Sequence, residues 1–300
     1  MNIKVVIVGF GSIGKKHYKI LKNHFKIKNI CIVTKQLLKK KLTVKSINDL
    51  KFIPDLIVVA NNTNQHINSV KIIEKKYKNL SVLVEKPLFD KNYKLKKLKN
   101  RYFVGYNMRF NPIIRYLKKV IKNQKFFSVQ VTCNSFLPLW RKGINYQKSY
   151  SAFKDKGGGV TLDLSHEIDY VKYLFGKIKI KYCDVRKISK LKIKSEDHLF
   201  LQANTSNIKY IGIFLNYYSQ YNQRFIKIDG SKKSYFADFL KRKISIFSPL
   251  KKKREISFKN KKDADYIDQY KDLFKGKKVI CTFKDALSSV YDINKIKNYR

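Results

Sequence analysis

The sequence predicts an α/β protein whose amino-terminal third forms a doubly wound parallel sheet. Three observations support this prediction. Short apolar runs rich in β-branched residues recur between residues 4 and 106. Amphipathic stretches of helical period separate them, as in HINSVKIIEKKYK at 66–78, and a glycine motif joins the first run to the first such stretch. Strands that alternate with helices are typical of a parallel sheet, because each parallel pair needs a crossover connection.

Five predicted strands follow one another at the spacing of such a sheet: NIKVVIVGF at 2–10, NICIVT at 29–34, DLIVVA at 55–60, SVLVEK at 81–86 and YFVGY at 102–106. In the second half, alternating runs predict a further sheet. These runs include FFSVQVTCNSF, NIKYIGIFLNYY and QRFIKIDG. We therefore expect two domains, residues 1–112 and residues 113–300.

The first predicted strand ends in the glycine motif G-x-G-x-x-G, formed by Gly9, Gly11 and Gly14. A strand before the motif and a helix after it are the context of a dinucleotide-binding site. Gly9 permits the turn, Gly11 lets the backbone approach a pyrophosphate, and Gly14 allows the helix to pack closely on the strand. Free N–H groups at the helix start, among them those of Ser12 and Ile13, then hold the phosphates. The alternative is a glycine turn without a ligand.

The end of the second predicted strand bears on the choice of cofactor. It carries Thr34 and Lys35, where an NAD-selective fold usually offers an acidic residue to the adenosine ribose. A hydroxyl and an ammonium suit a 2′-phosphate better than a bare diol. The sequence therefore favours NADP, or use of both NADP and NAD, over strict NAD; the alternative is that Lys35 is an ordinary surface lysine.

The net charge of +46, from 67 Lys and Arg against 21 Asp and Glu, is typical of proteins that bind nucleic acids or acidic membranes. Its distribution favours another explanation. Lysine is spread along the whole chain and outnumbers arginine, although base readout and bidentate phosphate recognition favour arginine. Such a composition is what a genome poor in G and C would impose. We predict no specific nucleic-acid partner, although the charge can attract an anionic cofactor or substrate.

The sequence also bears on location and on metal sites. Met1 is followed at once by a strand-like run, so a secretory signal is not predicted. Apolar stretches fall short of the roughly 18 to 20 residues that span a bilayer, and we expect a cytoplasmic protein without a membrane span. The cysteines are widely spaced and form no CxxC pair, which predicts neither a disulfide framework nor a zinc site. They are Cys31, Cys133, Cys183 and Cys281.

Five motifs occur in the order and at about the spacing of one known family. They are GFGSIGKKH at 9–17, VANNTNQH at 59–66, EKPL at 85–88, GYNMRFNP at 105–112 and the glycine-triplet segment GGGVTLDLSHEIDYV at 157–171. In these motifs the chain resembles the Gfo/Idh/MocA family of sugar oxidoreductases. The resemblance implies a Rossmann domain followed by an α/β domain with a large, mostly antiparallel sheet. In the family that sheet often carries the interface of a homo-oligomer, so a dimer or tetramer is implied.

The resemblance assigns roles to residues of the first domain. Asn62, Thr63 and His66 are placed along the nicotinamide-ribose side of the cofactor. Lys86 points at the hydroxyl of the reacting carbon, and Glu85 helps to fix the turn that aims it. The position of Lys86 agrees, because a cation at the carboxyl end of a strand in a Rossmann crevice can stabilise a developing alkoxide. A solvated surface lysine is the alternative.

The glycine-triplet segment supplies further ionisable groups. LDLSHEIDYVKYLFG predicts a helix opened by a flexible glycine hinge, with Asp163, His166 and Asp169 at i, i+3 and i+6 along one face. Histidine, with an unperturbed pKa of about 6.5, suits a general base, and a carboxylate beside it can fix its tautomer. In the family this segment supplies the active-site aspartate and histidine, which correspond to Asp163 and His166. The usual spacing has three residues between them, whereas this chain has two.

Aromatic and basic residues are candidates for the substrate site. Trp140, Tyr146 and Tyr150 present flat apolar faces with polar tips that suit sugar rings. Arg141 in the same stretch, and Arg109 in the NMRF motif, suit a carboxylate or phosphate. The alternative is an aromatic loop that packs on the sheet.

These observations predict an NAD(P)-dependent oxidoreductase that acts on a sugar. Members of the family with the DLSHE sequence look similar to proteins of surface-glycan biosynthesis, which implies a sugar or nucleotide-sugar substrate. One alternative is a lyase or epimerase-like enzyme that oxidises its substrate transiently with a bound cofactor. The other is a non-catalytic protein that binds a dinucleotide or a nucleic acid, for which the affinity would depend steeply on salt.

Overall fold

The computed structural model describes residues 3–39, 41–141, 143–259, 261–276 and 278–299. The chain divides into two compact units. The first unit consists of Met1–Asn107 and Asp265–Tyr291, and the second of Met108–Ala264 and Asp292–Arg300. The first passage between the units lies close to the predicted division at residues 112 and 113. The sequence did not predict that residues 265–291 belong to the first unit.

The strands and helices of the described ranges are these, in chain order. The strands are β1 (Lys4–Val8), β2 (Asn29–Val33), β3 (Leu42–Val44), β4 (Leu56–Val59), β5 (Ser81–Val84), β6 (Arg101–Val104), β7 (Phe126–Phe136), β8 (Lys179–Arg186), β9 (His198–Asn204), β10 (Tyr210–Asn216), β11 (Tyr218–Gly230), β12 (Ser234–Asp238), β13 (Lys243–Phe247), β14 (Arg254–Ser257) and β15 (Cys281–Thr282). The α-helices are α1 (Ser12–Lys19), α2 (His66–Lys76), α3 (Pro112–Val120), α4 (Val160–Asp163), α5 (Ser165–Phe175), α6 (Ala264–Lys275) and α7 (Phe283–Lys297).

The first unit is built on a mostly parallel sheet with the strand order β15-β6-β5-β4-β1-β2-β3. All five predicted strands are present, and they pair in parallel. Their β-branched side chains are buried almost throughout, as expected of strands covered on both faces. Only β15, which the sequence did not predict, runs antiparallel to its neighbour β6. The predicted doubly wound sheet is confirmed.

The second unit contains a larger sheet with the strand order β14-β13-β12-β11-β7-β10-β9-β8. Its pairs are antiparallel except that of β7 with β10. The predicted run FFSVQVTCNSF corresponds to β7, residue for residue. The predicted α/β domain with a large, mostly antiparallel sheet is therefore confirmed. Helix α5 and the carboxy-terminal part of α7 contribute residues to the apolar core of this unit.

The helix predicted over the glycine-triplet segment is divided. Helix α4 ends at Asp163, and α5 begins at Ser165. Leu164, between them, has φ −99° and ψ 21°, outside the helical range. The prediction of one continuous helix was therefore wrong, and Asp163 lies on a different helix from His166.

Two further properties concern the whole chain. Among the described residues, no helix combines the length and apolar character needed to cross a bilayer. The four cysteines are free thiols, and all of them are buried.

Candidate active site

The glycine turn after β1 is shaped by close backbone contacts. Gly9 has φ +92°, and a Cβ there would lie 2.7 Å from the backbone of Asn61. A Cβ on Gly14 would lie 2.2 Å from the carbonyl oxygen of Gly9. Both positions therefore require glycine, Gly9 for the turn and Gly14 for the close packing of α1 on that turn.

Gly11 differs, because a Cβ there would meet nothing within 4 Å. It is the N-cap of α1, and the first helical bond runs from Lys15 N–H to its carbonyl oxygen at 2.9 Å. The N–H groups of Ser12 and Ile13 belong to the first helical turn, which has no intrahelical acceptors for its donors. Open space beside Gly11, together with these donors, fits the pyrophosphate of a dinucleotide.

The two residues directly after β2 present a hydroxyl and an ammonium. Thr34 N–H donates to the carbonyl of Val44 at 2.9 Å, and the Thr34 hydroxyl accepts from Gln36 N–H at 3.2 Å. Lys35 is exposed. The first acidic residue of the sequence is Asp49, so the segment from the glycine turn through β3 contains no carboxylate. This segment therefore offers no carboxylate that could bind a ribose diol.

The residues expected along the nicotinamide ribose follow β4. Asn62 is exposed and caps a short 3₁₀ turn, Thr63–Gln65, in which Thr63 is buried. Asn62 is therefore the member of this group that is open to a ligand.

His66 is only 1% exposed, and both of its ring nitrogens face backbone carbonyl oxygens. Nε2 lies 3.1 Å from the oxygen of Asn61, while Nδ1 lies 3.1 Å from that of Pro87 and 3.2 Å from that of Leu88. Burial lowers the pKa of His66, although the contacts with carbonyl groups oppose this shift. The nitrogens of His66 join the loop after β4 to the loop after β5, and its predicted place beside the nicotinamide ribose stays a prediction.

Lys86 follows β5 at the carboxyl end of the parallel sheet, where such sheets bind their ligands. The side chain is half-buried, and the Lys86–Pro87 peptide bond is cis. Glu85 is 5% exposed; its Oε2 accepts from Lys86 N–H at 3.3 Å, and its Oε1 lies 2.9 Å from His17 Nε2. The expectation that Glu85 fixes the turn at Lys86 agrees with these contacts.

Glu85 is linked by hydrogen bonds to two further residues, which were not identified from the sequence. His17 is fully buried beside Glu85, and the hydroxyl of Tyr270 lies 2.7 Å from His17 Nδ1. His17 ends the motif GFGSIGKKH, which was a signal for its importance. No sequence pattern connects it to Tyr270, which lies 253 residues further along the chain.

In the second unit, Asp163 lies in a polar cluster. Its Oδ2 accepts from the Tyr217 hydroxyl at 2.6 Å. Burial, and then the charge of Asp163, raise the pKa of Tyr150 well above its ordinary value, and Tyr150 also hydrogen-bonds Asp163. The guanidinium of Arg141 lies 4.8 Å from the centre of the Tyr150 ring. The structure thus brings together three of the predicted residues, Asp163, Tyr150 and Arg141.

The predicted aromatic residues divide into two groups. Trp140 packs edge-on against Tyr217 with ring centres 5.0 Å apart, and its Nε1 donates to the Ser135 hydroxyl at 2.9 Å. Trp140 thereby joins the cluster around Asp163. Tyr146 is half-buried against the apolar core, and its hydroxyl accepts from Lys192 N–H at 3.4 Å. Its contacts are those of a packed loop residue.

His166 lies beside a carboxylate that the sequence analysis did not assign. Its Nε2 is 2.9 Å from Oε1 of Glu167, and the same oxygen accepts from Arg224 at 2.6 Å. Burial raises the pKa of Glu167, but the charges of Arg224 and His166 outweigh it and hold that pKa at about 2. The carboxylate next to His166 is therefore ionised at neutral pH. As an ionised group, the Glu167 carboxylate accepts a hydrogen bond from the imidazole of His166, and it can stabilise that ring in its charged form.

Asp169 pairs with Arg109. Nε and Nη2 of Arg109 donate to the two oxygens of Asp169 at 2.9 and 2.7 Å, and both side chains are buried. The guanidinium also lies 5.0 Å from the centre of the Tyr173 ring. The bidentate fork of Arg109 holds α5 through Asp169, and its predicted contact with the substrate stays a prediction.

The glycine triplet is explained in part by packing. A Cβ on Gly158 would lie 2.2 Å from the carbonyl oxygen of Tyr150, and a Cβ on Gly159 would lie 2.3 Å from Oε1 of Glu196. Gly159 also has φ +111°. These two glycines therefore let the segment before α4 pass close to the Tyr150 loop and to Glu196.

The fold and the glycine cradle are those of a dinucleotide-binding protein, and comparison with known proteins gives the family. A model described as oxidoreductase family, NAD-binding Rossmann fold, matches residues 3–102. A model described as oxidoreductase family, C-terminal alpha/beta domain, matches residues 118–290. The chain belongs to the Gfo/Idh/MocA oxidoreductase family, which confirms the resemblance noted from its motifs. No curated protein matches the chain closely enough to count as a relative.

Solved structures share the fold over the whole chain. The WlbA dehydrogenase from Bordetella pertussis, in complex with NADH and UDP-GlcNAcA, is 18% identical with a TM-score of 0.77, covering 99% of this chain and 96% of that one. UDP-N-acetylglucosamine 3-dehydrogenase GnnA from Acidithiobacillus ferrooxidans is 12% identical with a TM-score of 0.78, covering 99% and 97%. The super-repressor mutant of Gal80p from Saccharomyces cerevisiae is 15% identical with a TM-score of 0.79, covering 99% and 95%. At these identities the likeness shows the fold alone.

Proposed function

We propose that the protein is an NAD(P)-dependent oxidoreductase that interconverts a hydroxyl group and a carbonyl group on a sugar or nucleotide sugar. The observation that carries this proposal is the position of Lys86, which directly follows a buried parallel strand and whose backbone is held by the buried carboxylate of Glu85. A cation fixed at the carboxyl end of a sheet that also bears a dinucleotide cradle suits an oxygen on which negative charge develops.

The cofactor is held by the first unit. When bound, its nicotinamide ring supplies the hydride acceptor for oxidation and the donor for reduction. Backbone N–H groups at Ser12 and Ile13 bind the pyrophosphate, and Gly11 leaves room for it. We favour NADP, or use of both cofactors, because Thr34 and Lys35 directly follow β2 and the surrounding segment contains no carboxylate.

The proton is moved by residues of the second unit. His166 removes the proton of the sugar hydroxyl, and Lys86 stabilises the alkoxide as it forms. Glu167, ionised beside His166, stabilises the imidazolium that results. Tyr150 is a poor candidate for the base, because its raised pKa keeps the phenol protonated. Tyr150 and Asp163 instead suit hydrogen bonds to sugar hydroxyls.

The substrate class is supported by chemistry and by the relatives. Trp140 and Arg141 offer an aromatic face and a guanidinium near Asp163, which suits a sugar that carries a phosphate or carboxylate. WlbA binds UDP-GlcNAcA in its solved structure, and GnnA is a UDP-N-acetylglucosamine dehydrogenase. We therefore propose a nucleotide sugar, in surface-glycan biosynthesis, as the substrate.

Two matched pairs of variants test the proposal against a panel of nucleotide sugars. We expect Lys86→Met to lower kcat by about 10²- to 10³-fold, the usual cost of losing one oxyanion donor. We expect His166→Asn to lower it by about 10²- to 10⁴-fold, the usual cost of losing a general base. Lys71→Met and His24→Asn, at exposed positions of the first unit, serve as controls and should retain activity.

The absorbance of the free cofactor during turnover separates the proposal from its rivals. Consumption of NAD(P)H or NAD(P)⁺ in step with product supports a dehydrogenase. Product without net change in that absorbance would show transient oxidation by bound cofactor, as in an epimerase or lyase. Near-normal turnover by His166→Asn between pH 6 and 9 would contradict the role given to His166.

A further inference from the structure

Four residues of the first unit form a continuous chain of hydrogen bonds. The Tyr270 hydroxyl lies 2.7 Å from His17 Nδ1, and His17 Nε2 lies 2.9 Å from Glu85 Oε1. The other carboxylate oxygen of Glu85 accepts from the backbone N–H of Lys86 at 3.3 Å. The chain begins on α6, near the carboxyl terminus, and ends at the residue proposed to stabilise the alkoxide.

The chemistry of the imidazole fixes the direction of each bond. A carboxylate oxygen accepts, so the hydrogen of the bond to Glu85 lies on Nε2 of His17. In the tautomer that carries its hydrogen on Nε2, Nδ1 is an acceptor, and the Tyr270 hydroxyl donates to it. Burial, and then the charge of Glu85, raise the pKa of Tyr270 well above its ordinary value, which keeps this donor protonated. One tautomer of His17 therefore satisfies all three side chains.

The surroundings leave these groups little freedom to move. His17 and Tyr270 are fully buried, and Glu85 is 5% exposed. A Cβ on Gly105 would lie 2.6 Å from Glu85 Oε1. The backbone directly after β6 therefore closes one side of the carboxylate. The Tyr270 ring packs against Phe25 and Phe274, at 5.7 and 5.8 Å between ring centres. Buried polar groups in such a network are costly to leave without partners.

We propose that Tyr270 and His17 are positioning residues, which set the orientation of the Lys86 backbone through Glu85. Helix α6 thereby contributes to the site although it lies about 180 residues after the EKPL motif. The effect on catalysis rests on the function proposed for Lys86, while the coupling from Tyr270 to the Lys86 peptide does not.

Tyr270→Phe tests the proposal, because it keeps the ring and removes only the hydroxyl. Nδ1 of His17 then loses its donor, and the imidazole is no longer restricted to one tautomer. We expect kcat to fall about tenfold with little change in the KM for the cofactor, because the peptide is less well oriented while the phosphate cradle is intact. Tyr77→Phe is the matched control, since Tyr77 is a buried tyrosine of the same unit whose hydroxyl donates to a carbonyl outside the network.

Nuclear magnetic resonance gives a second measurement that does not depend on activity. With labelled histidine and backbone nitrogen, we expect Tyr270→Phe to shift the ring nitrogens of His17 and the amide of Lys86, and Tyr77→Phe to leave both unchanged. His17→Gln, which keeps a donor and an acceptor, should disturb the Lys86 amide less than His17→Leu. Thermal unfolding confirms that each variant is folded, and His17→Gln replaces Tyr270→Phe in the argument if the latter is not.

The outcomes separate the two proposals. An unchanged Lys86 amide and unchanged kcat in Tyr270→Phe would overturn the positioning role, whatever Lys86 does. A shifted Lys86 amide together with full activity of Lys86→Met would support the coupling and overturn the function proposed for Lys86. Loss of activity in Tyr270→Phe without any change at His17 or Lys86 would also overturn the positioning role, because the effect would then travel by another route.

Discussion

Thr34 stands where the second strand of a dinucleotide-binding sheet usually meets the adenosine ribose of its cofactor. An aspartate there would accept from a ribose diol and would repel a 2′-phosphate. We expect Thr34→Asp to change the ratio of NADPH to NADH affinity by at least about tenfold in favour of NADH, or roughly 1.4 kcal/mol. Fluorescence titration of both cofactors measures this ratio.

The exposed Lys35 is the natural comparison. Lys35→Ala removes a charge without adding a repulsive one, so its effect on the ratio should have the same direction and be smaller. A ratio that stays constant in Thr34→Asp would show that this end of β2 does not contact the ribose.

Single residues differ in how far the sequence could predict their surroundings. Lys86 and Glu85 were predictable, because a short motif fixes both within one turn after a strand. Glu167 was not, since side chains at i and i+1 on a helix do not normally face each other. Its other partner, Arg224, lies on β11, and no local pattern links the two. Pairings of this kind depend on the tertiary fold.

At the scale of an element, the packing of α1 on the glycine turn can be tested with single glycine substitutions. A Cβ on Gly14 would lie 2.2 Å from the Gly9 carbonyl oxygen, so Gly14→Ala must push the helix from the glycine turn. We expect a loss of about 1 to 3 kcal/mol in the free energy of unfolding, as for other overpacked sites. Gly11→Ala meets nothing within 4 Å, so stability should change by less than about 0.5 kcal/mol.

Cofactor binding should separate the same two variants in the opposite way. Gly11→Ala places a methyl group in the open space expected to hold the pyrophosphate, so the cofactor should raise its Tm less than it raises that of the unaltered protein. Denaturant unfolding and thermal shift with NADP and NAD measure both effects. If Gly11→Ala gains the full thermal shift, the phosphates do not bind beside Gly11.

Elements were predicted well where periodicity and packing agree. The strands of the first sheet are short and β-branched, and they were found from the sequence because burial on both faces leaves a continuous apolar run. The break at Leu164 was not predicted, because leucine is a good helix former and the flanking pattern has helical period. The glycines before α4 were read as a hinge, whereas in the structure a Cβ on Gly159 would collide with Glu196, a residue distant in sequence.

At the scale of the whole molecule, the sequence did not predict that residues 265–291, near the carboxyl terminus, belong to the first unit. Strand β15 has only two residues, which is too short for a periodic signal. It pairs with β6, and residues from its vicinity complete the apolar core of the first unit. Motifs identified the two kinds of sheet correctly, but they carry no information about a segment that returns to the first unit from the end of the chain.

This interleaving leads to an expectation about the first unit alone. Cys281, Ala286 and Val290 are 0%, 0% and 1% exposed within its core, so residues 1–107 by themselves lose an edge strand and part of that core. We expect this fragment to unfold without a cooperative transition and to bind a hydrophobic dye. Joining residues 265–291 to it through a flexible linker of about 15 Gly and Ser residues should restore cooperative unfolding and cofactor binding. A cooperative transition in the fragment alone, with cofactor bound, would show that the returning segment is dispensable for the first unit.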